Sequence, residues 1–503
     1  MKPAMKKTTA AVLVAAVLVI GAVFSVASVD RSDRIRDVDE AAWIFNGAFL
    51  DLYLSGDWDN PDWNAFDVYA HHPPLGNYIF GALLYAIGEP VKSMEPRRFW
   101  YANSFDIAWS PGYFIEGLYD RVTGRQLVAG RILSALIGWL AAVALMVFAW
   151  RLIGPVAGIS SYALLLLHPV FRDVATLCSV ESLIMLLSVL TVLFSWEMGR
   201  SMSCNMRLAA LWCLLAGVCF GLFLATKISA IPWIAAVAMA AIAGARGKRE
   251  IALSLLGIAA VAFVAFGLAV LLDPGLHRAP LATTIERIEL RFIQVDMQSR
   301  FFLWQRIPDI WGRLAFSSYW AFFSSAFAFV LFLLALAGVG GRFLCSPVSL
   351  DRARSLVVSL AALSFFMVAA TLPLAWVRYV ATALPFIALL GGLGSENLRN
   401  IAPNWRRLPR PRRLASGSIA GFLVLASILL SFGFRFYGWQ EPPAPSSEEL
   451  RISRMFLFSL KNPGIDRGVH NELLRYFEDR GERVWADYQR SWLEKMKNGA
   501  DNE

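Results

Sequence analysis

Charge is what this sequence has little of. Asp, Glu, Lys and Arg make up 17% of its 503 residues, where a soluble domain carries about 25%. Cysteine is scarce too. The five (Cys178, Cys204, Cys213, Cys219 and Cys345) show neither a paired framework nor metal-ligand spacing, which argues against a disulfide scaffold or a structural zinc. They read as small apolar residues. There is no Gly-rich phosphate loop, no zinc-finger spacing, no RNA-platform motif and no internal repeat. The net charge of +9 therefore needs a source other than nucleic-acid binding.

Apolar residues are abundant, at 57%. They gather into runs at 10–29, 127–149, 156–168, 183–196, 208–225, 228–245, 251–272, 316–339, 356–372, 379–393 and 419–434, which predict about eleven membrane spans. The first run ends in "SVAS", which resembles a small-residue cleavage site. Its length of about 20 residues exceeds the h-region of a signal peptide, so it reads as an uncleaved span.

Basic residues fix the topology. With Lys2, Lys6 and Lys7 in the cytoplasm, Arg151, Arg200, Arg207, "ARGKRE", Arg342, Arg352, Arg354 and "RNIAPNWRRLPRPRRL" all fall on the same side, as the positive-inside rule requires. The agreement holds only if the proline-led run at 73–88 does not cross. That run is predicted to lie along the outer surface as an interfacial or re-entrant element.

The expectation is an all-α polytopic membrane protein in the cytoplasmic (inner) membrane, with its N-terminus cytoplasmic. Its transmembrane domain covers 1–435, with outer loops at 30–126 and 273–314. A small C-terminal tail at 436–503 opens with the Pro-rich "EPPAPSSEEL" and continues in a helical pattern, also on the outer (periplasmic) side.

On this topology the polar residues near the outer face come together: Asp39 and Glu40 after the first span, His71 and His72 before the interfacial run, Arg131 one turn inside the second span, then Glu181, Lys227, and Arg378 with Tyr379. Ionisable residues at such depth are costly and face a cavity or a partner. A carboxylate can deprotonate a hydroxyl, and arginine or lysine can hold a phosphate as it leaves. Histidine beside carboxylates can also ligate a divalent metal, although no ligand spacing asks for one. Taken singly each residue has a plainer reading, as a solvated loop, a helix-starting turn or a snorkelling side chain.

The ordered set is more specific. The "DE" after the first span, "HHPPLGN", "AGRILSALIGW", "HPVFRDVATLCSVESLIMLL", "GLFLATKISAIPW" and "VRYVATALPFIALL" together resemble the protein O-mannosyltransferases and lipid A aminoarabinose transferases, C-type membrane glycosyltransferases, over Arg36–Leu398. The resemblance implies an outward active site and an inverting transfer from a sugar on a polyprenyl or dolichyl phosphate. It implies Asp39 as catalytic base and Glu40 as supporting carboxylate, with His72 and Arg131 at positions associated with the phosphate or with shaping the site. Lys227 and Arg378 are further phosphate candidates by depth and charge.

The chain also departs from that pattern. The aminoarabinose branch usually has Glu-Lys where this chain has His71–His72, and relatives commonly carry aspartate near Glu181. The stretch 89–125 is long for the simplest members.

The sequence thus points to a glycosyltransferase moving a sugar from a polyprenyl-phosphate donor to a hydroxyl of a lipid, glycan or protein. The alternative is a polytopic lipid or solute transporter, which would place charges at the midplane and often show inverted repeats.

Overall fold

The computed structural model describes residues 3–33, 36, 38–60, 63, 73–90, 122–301, 307, 309–340, 351–371, 376–401, 451–452, 455, 467–479, 481 and 483–500. Every regular element among them is helical. In hydrocarbon each backbone N–H must be satisfied within its own segment, and a helix does this alone.

In chain order the helices are α1 (Pro3–Ala27), α2 (Val38–Phe45), α3 (Phe49–Ser55), α4 (Leu75–Ala86), α5 (Gly124–Leu152), α6 (Pro155–Leu166), α7 (Pro169–Ala175), α8 (Glu181–Ser201), α9 (Met206–Leu224), α10 (Ile234–Gly244), α11 (Lys248–Leu272), α12 (Pro280–Phe301), α13 (Ile310–Ser318), α14 (Ala326–Gly340), α15 (Asp351–Thr371), α16 (Val377–Val380), α17 (Leu384–Ile401), α18 (Arg467–Asp479) and α19 (Arg483–Ala500). Among the described residues, six helices are long and apolar enough to cross a membrane, or seven if the bent pair described below is one span. Shorter apolar helices stand at Val14–Ala27, Leu75–Ala86, Pro155–Leu166 and Ile228–Gly244, three of them where the sequence predicts spans. The predicted run 419–434 lies outside the described residues.

Two layers of charge mark the ends of the bundle. Near one end Arg131 of α5 meets Glu40 and the Cys178 amide meets the same carboxylate. Near the other, Arg151 of α5 pairs with Glu197 of α8. Twenty residues of helix separate Arg131 from Arg151, about 30 Å, the thickness of a hydrocarbon core. The chain between Arg151 and Cys178 must return from one layer to the other. α6 and α7, broken at Pro169 where the ring supplies no N–H, make that crossing. α4 has 12 residues, about 18 Å, and is too short to cross alone.

The predicted span 316–339 is corrected by the structure. It is two helices, Ile310–Phe323 and Ala326–Val339, bent by 104°. A π-helical turn at Tyr319–Phe323 runs into two serines that end one helix and start the next. Ser324 Oγ donates back to Trp320 O (2.9 Å), and Ser325 Oγ accepts from Ala328 N (3.0 Å). Serines that satisfy backbone groups in this way let a helix stop where hydropathy reads straight through. The segment 273–314, predicted as a loop, also holds more structure than its sequence announces, namely the 22-residue α12.

α4 is pinned against the first loop by a close approach. A Cβ on Gly81 would sit 2.4 Å from Gly47 O and 2.8 Å from Leu50 Cβ, so only glycine lets the two segments touch. Phe49, Trp63 and Tyr78 form a small core beneath them, and Tyr78 Oη donates to Leu272 O at the end of α11 (3.0 Å). Gly81→Ala is expected to cost about 1–3 kcal/mol by overpacking, seen as a lower thermal midpoint of the detergent-solubilised chain. An unchanged midpoint would show that the contact is slack.

In the tail, α18 and α19 form a hairpin around Ile452, Leu473, Phe477 and Ala486, turning at Gly481, whose φ of 68° is left-handed. His470 and Gln489 are buried together between the two helices and hydrogen-bond at 2.5 Å.

Candidate active site

Asp39 and Glu40 occupy the first turn of α2, where the helix dipole favours negative charge. Neighbours on a helix point about 100° apart, so the two carboxylates face different surroundings.

Glu40 faces inward and is 1% exposed. Its Oε1 accepts from Arg131 Nε (2.8 Å) and Cys178 N (3.1 Å), and its Oε2 from Arg131 Nη2 (2.7 Å) and Arg36 N (2.8 Å). Four donors fill the roughly four lone-pair positions of a carboxylate. Arg131, fully buried, gives Nη1 to the carbonyls of Asp30 (3.1 Å) and Ser32 (2.9 Å). All four acceptor positions of Glu40 are thus engaged, and Arg131 is committed to Glu40 and the loop carbonyls. The pair fixes the segment that presents Asp39.

Asp39 faces the other way. Its Oδ2 lies 2.5 Å from Arg378 Nη1, at the start of α16. The Arg378 guanidinium carbon lies 4.9 Å from the Trp376 ring centroid and 5.4 Å from that of Tyr379. These two rings stack at 5.7 Å with 14° between planes. Lys227 Nζ sits 4.7 Å from the same Tyr379 ring and 3.7 Å from Glu181 Oε1. Lys227 and Glu181 are both buried, Lys227 at the non-helical junction after α9 and Glu181 at the first position of α8.

Five of the residues singled out in the sequence, Asp39, Glu181, Lys227, Arg378 and Tyr379, thus form one chain of contacts. Lysine and arginine both lie against a single tyrosine ring, and each has a carboxylate partner. Arg291, on α12, is near enough for its charge to act on the Tyr379 hydroxyl. The contact chain itself holds two cations, Lys227 and Arg378, and two carboxylates, Asp39 and Glu181, a set of groups that can hold an anion.

The proline-led run arrives at this cluster. Leu75 N donates to Ala225 O (3.0 Å), two residues before Lys227. A Cβ on Gly76 would lie 2.5 Å from Val180 Cγ1 and 2.7 Å from Trp43 Cζ3, so α4 begins between the helix that carries Asp39 and the residue before Glu181. His71 and His72 lie outside the described residues, as do 91–121 of the long stretch at 89–125. Among the described residues no three His, Cys, Asp or Glu side chains gather as a metal site requires.

Sequence reasoning missed Arg291 and Trp376. Arg291 sits in a charged segment where arginines are ordinary, and only the fold brings it within electrostatic reach of Tyr379. Trp376 stands two residues before Arg378, and its proximity was the one available signal.

No protein-family model matches the chain, and no curated protein matches its sequence. Among solved structures, it is similar to ArnT from Cupriavidus metallidurans in the apo state, with a TM-score of 0.49 and 17% identity over 96% of this chain and 75% of that one. ArnT from the same organism bound to undecaprenyl phosphate gives 0.46 and 15% over 96% and 75%. The archaeal oligosaccharyltransferase AglB from Archaeoglobus fulgidus, in complex with an inhibitory peptide and a dolichol-phosphate, gives 0.45 and 14% over 95% of this chain and 59% of that one.

Proposed function

We propose that this chain is a membrane glycosyltransferase that moves a sugar from a polyprenyl-phosphate donor to an acceptor hydroxyl at the outer membrane face. The observation that carries the reading is the shared tyrosine: Lys227 and Arg378 both lie against Tyr379, and Asp39 is paired to one of them. Two cations held side by side bind a phosphate, and a carboxylate beside them can serve as base. The ordered sequence motifs support the same chemistry, and the basic loops support the outward orientation.

In this reaction the donor phosphate lies against Lys227 and Arg378, and its prenyl chain stays in the bilayer. The phosphate draws on Arg378, which otherwise pairs with Asp39, and the carboxylate is left able to accept a proton. The acceptor oxygen attacks the anomeric carbon opposite the phosphate. Its proton passes to Asp39, the new carbon–oxygen bond forms, and the bond from the anomeric carbon to the phosphate oxygen breaks. Its electron pair stays on the polyprenyl phosphate, whose added charge the two cations stabilise. One displacement inverts the anomeric centre. Arg131 and Glu40 touch neither substrate and position the helix that bears Asp39.

The test is transfer of radiolabelled sugar from a polyprenyl-phosphate donor in membranes containing this chain. Label in a glycosylated acceptor supports the reading. Label that only crosses the membrane, still on its lipid, would favour a transporter.

Tyr379 gives a finer check. Tyr379→Leu removes the ring that both cations share. At about 0.5–2 kcal/mol for each of the two cation–π contacts, polyprenyl-phosphate affinity is expected to fall about 5- to 1000-fold. Tyr379→Phe keeps the ring and is expected to bind within a few-fold of the parent. Equal losses in both variants would assign the effect to the hydroxyl instead.

A further inference from the structure

Arg31 and Asp33 take no part in the site above. Together with Arg125, Val128, Ala129 and Ile132 they line a cleft of about 670 Å³ at the start of α5. Among the described residues neither Arg31 nor Asp33 enters a hydrogen bond or ion pair through its side chain, although they share the cleft with opposite charges. Arg125 is partly engaged, with Nη1 3.1 Å from Glu89 Oε1 and Nη2 donating to Ile87 O at 3.4 Å. The far wall is apolar and continues down the helix. Leu136, Leu140 and Val147 are exposed, and with Ile132 they fall within a sector of about 80° at 100° per residue. A cleft with both charge signs thus stands at the membrane end of a greasy track.

We propose that this cleft seats a bilayer phospholipid whose headgroup carries both a phosphate and a primary ammonium. The phosphate lies against Arg31 and Arg125, the ammonium against Asp33, and an acyl chain along Ile132, Leu136 and Leu140. The charges select this class. A headgroup with phosphate alone would set Asp33, with Glu89 nearby, against a like charge. A quaternary choline has no N–H to give the carboxylate. The cleft is also held in shape from below, because Arg131 binds the carbonyls on either side of Arg31, at Asp30 and Ser32. This site is separate from the transfer reaction, and its test does not read turnover.

The full chain would be extracted in detergent, exchanged with phosphatidylethanolamine, phosphatidylglycerol or phosphatidylcholine, and the retained lipids counted by native mass spectrometry. Arg31→Gln and Asp33→Asn remove the charges at nearly constant volume. The parent is expected to keep one phosphatidylethanolamine over the other two lipids, and Arg31→Gln to lower that retention about tenfold or more, as loss of a charged hydrogen-bond partner does. Asp33→Asn is expected to shift the preference toward phosphatidylglycerol. Equal retention of all three lipids by the parent, or no change in either variant, overturns the proposal. So does full displacement of the lipid by millimolar soluble phosphoethanolamine, which would make the ligand a free headgroup.

Discussion

Asp39→Asn is expected to lower sugar transfer by about 10²- to 10⁴-fold, the range contributed by general acid–base catalysis, while polyprenyl-phosphate binding stays within a few-fold. The substitution keeps the size of the side chain and leaves an amide oxygen for Arg378 Nη1, which now meets Asp39 Oδ2 at 2.5 Å. What it removes is the capacity to take a proton from the acceptor. A base with no part in holding the donor should therefore affect kcat, with little change in the donor's KM. The measurement is single-turnover transfer alongside equilibrium binding of the unglycosylated polyprenyl phosphate. Full activity in Asp39→Asn would remove the base from Asp39. A parallel collapse of binding would instead mark Asp39 as a group that orders Arg378.

The second large effect concerns stability. Arg131→Met leaves the Glu40 carboxylate buried, with two of its four donors gone, and frees the Asp30 and Ser32 carbonyls. Breaking a buried pair from one side costs about 3–5 kcal/mol, because an uncompensated charge remains behind. The double variant Glu40→Gln with Arg131→Met removes that charge, so it is expected to be clearly more stable than Arg131→Met alone. Thermal unfolding of the detergent-solubilised chain would measure both. If the double variant unfolds no later than the single one, the Arg131 loss comes from packing and not from the stranded carboxylate. The same pair of variants separates positioning from chemistry. A double variant that folds yet transfers sugar slowly, with normal donor binding, shows Arg131 and Glu40 acting through the placement of Asp39.

Much of this organisation was legible in the sequence because a bilayer imposes simple rules. A helix must be apolar for about 20 residues to cross, and the runs at 127–149, 208–225 and 251–272 found their helices within a few residues. The short run after "HHPP" read correctly as too short, since 12 residues of helix cannot match the membrane. The bend at Ser324–Ser325 was invisible to the same reasoning. Hydropathy averages over a window, and two serines among phenylalanines do not lower it enough to show a break.

Depth and charge together brought Asp39, Glu181, Lys227, Arg378 and Tyr379 to one end of the bundle before any coordinates. Each is too costly to bury without a partner. The choice of partner was not legible. Asp39 and Glu40 look alike in "DVDE", and only a helical turn of about 100° decides that one is locked to an arginine 91 positions away while the other meets Arg378. Arg291 was missed for a related reason: its sequence surroundings are ordinary, and its electrostatic reach to Tyr379 is set by the placement of α12, which the sequence does not announce.

The most direct test of the central claim is a cryo-EM map of the full chain with polyprenyl phosphate bound. The account predicts phosphate density between the Lys227 ammonium and the Arg378 guanidinium, beside the Tyr379 ring, with the Asp39 carboxylate turned toward the space where a sugar would continue from it. Phosphate density elsewhere, with Arg378 still paired to Asp39 and Lys227 still facing Glu181 alone, would contradict it.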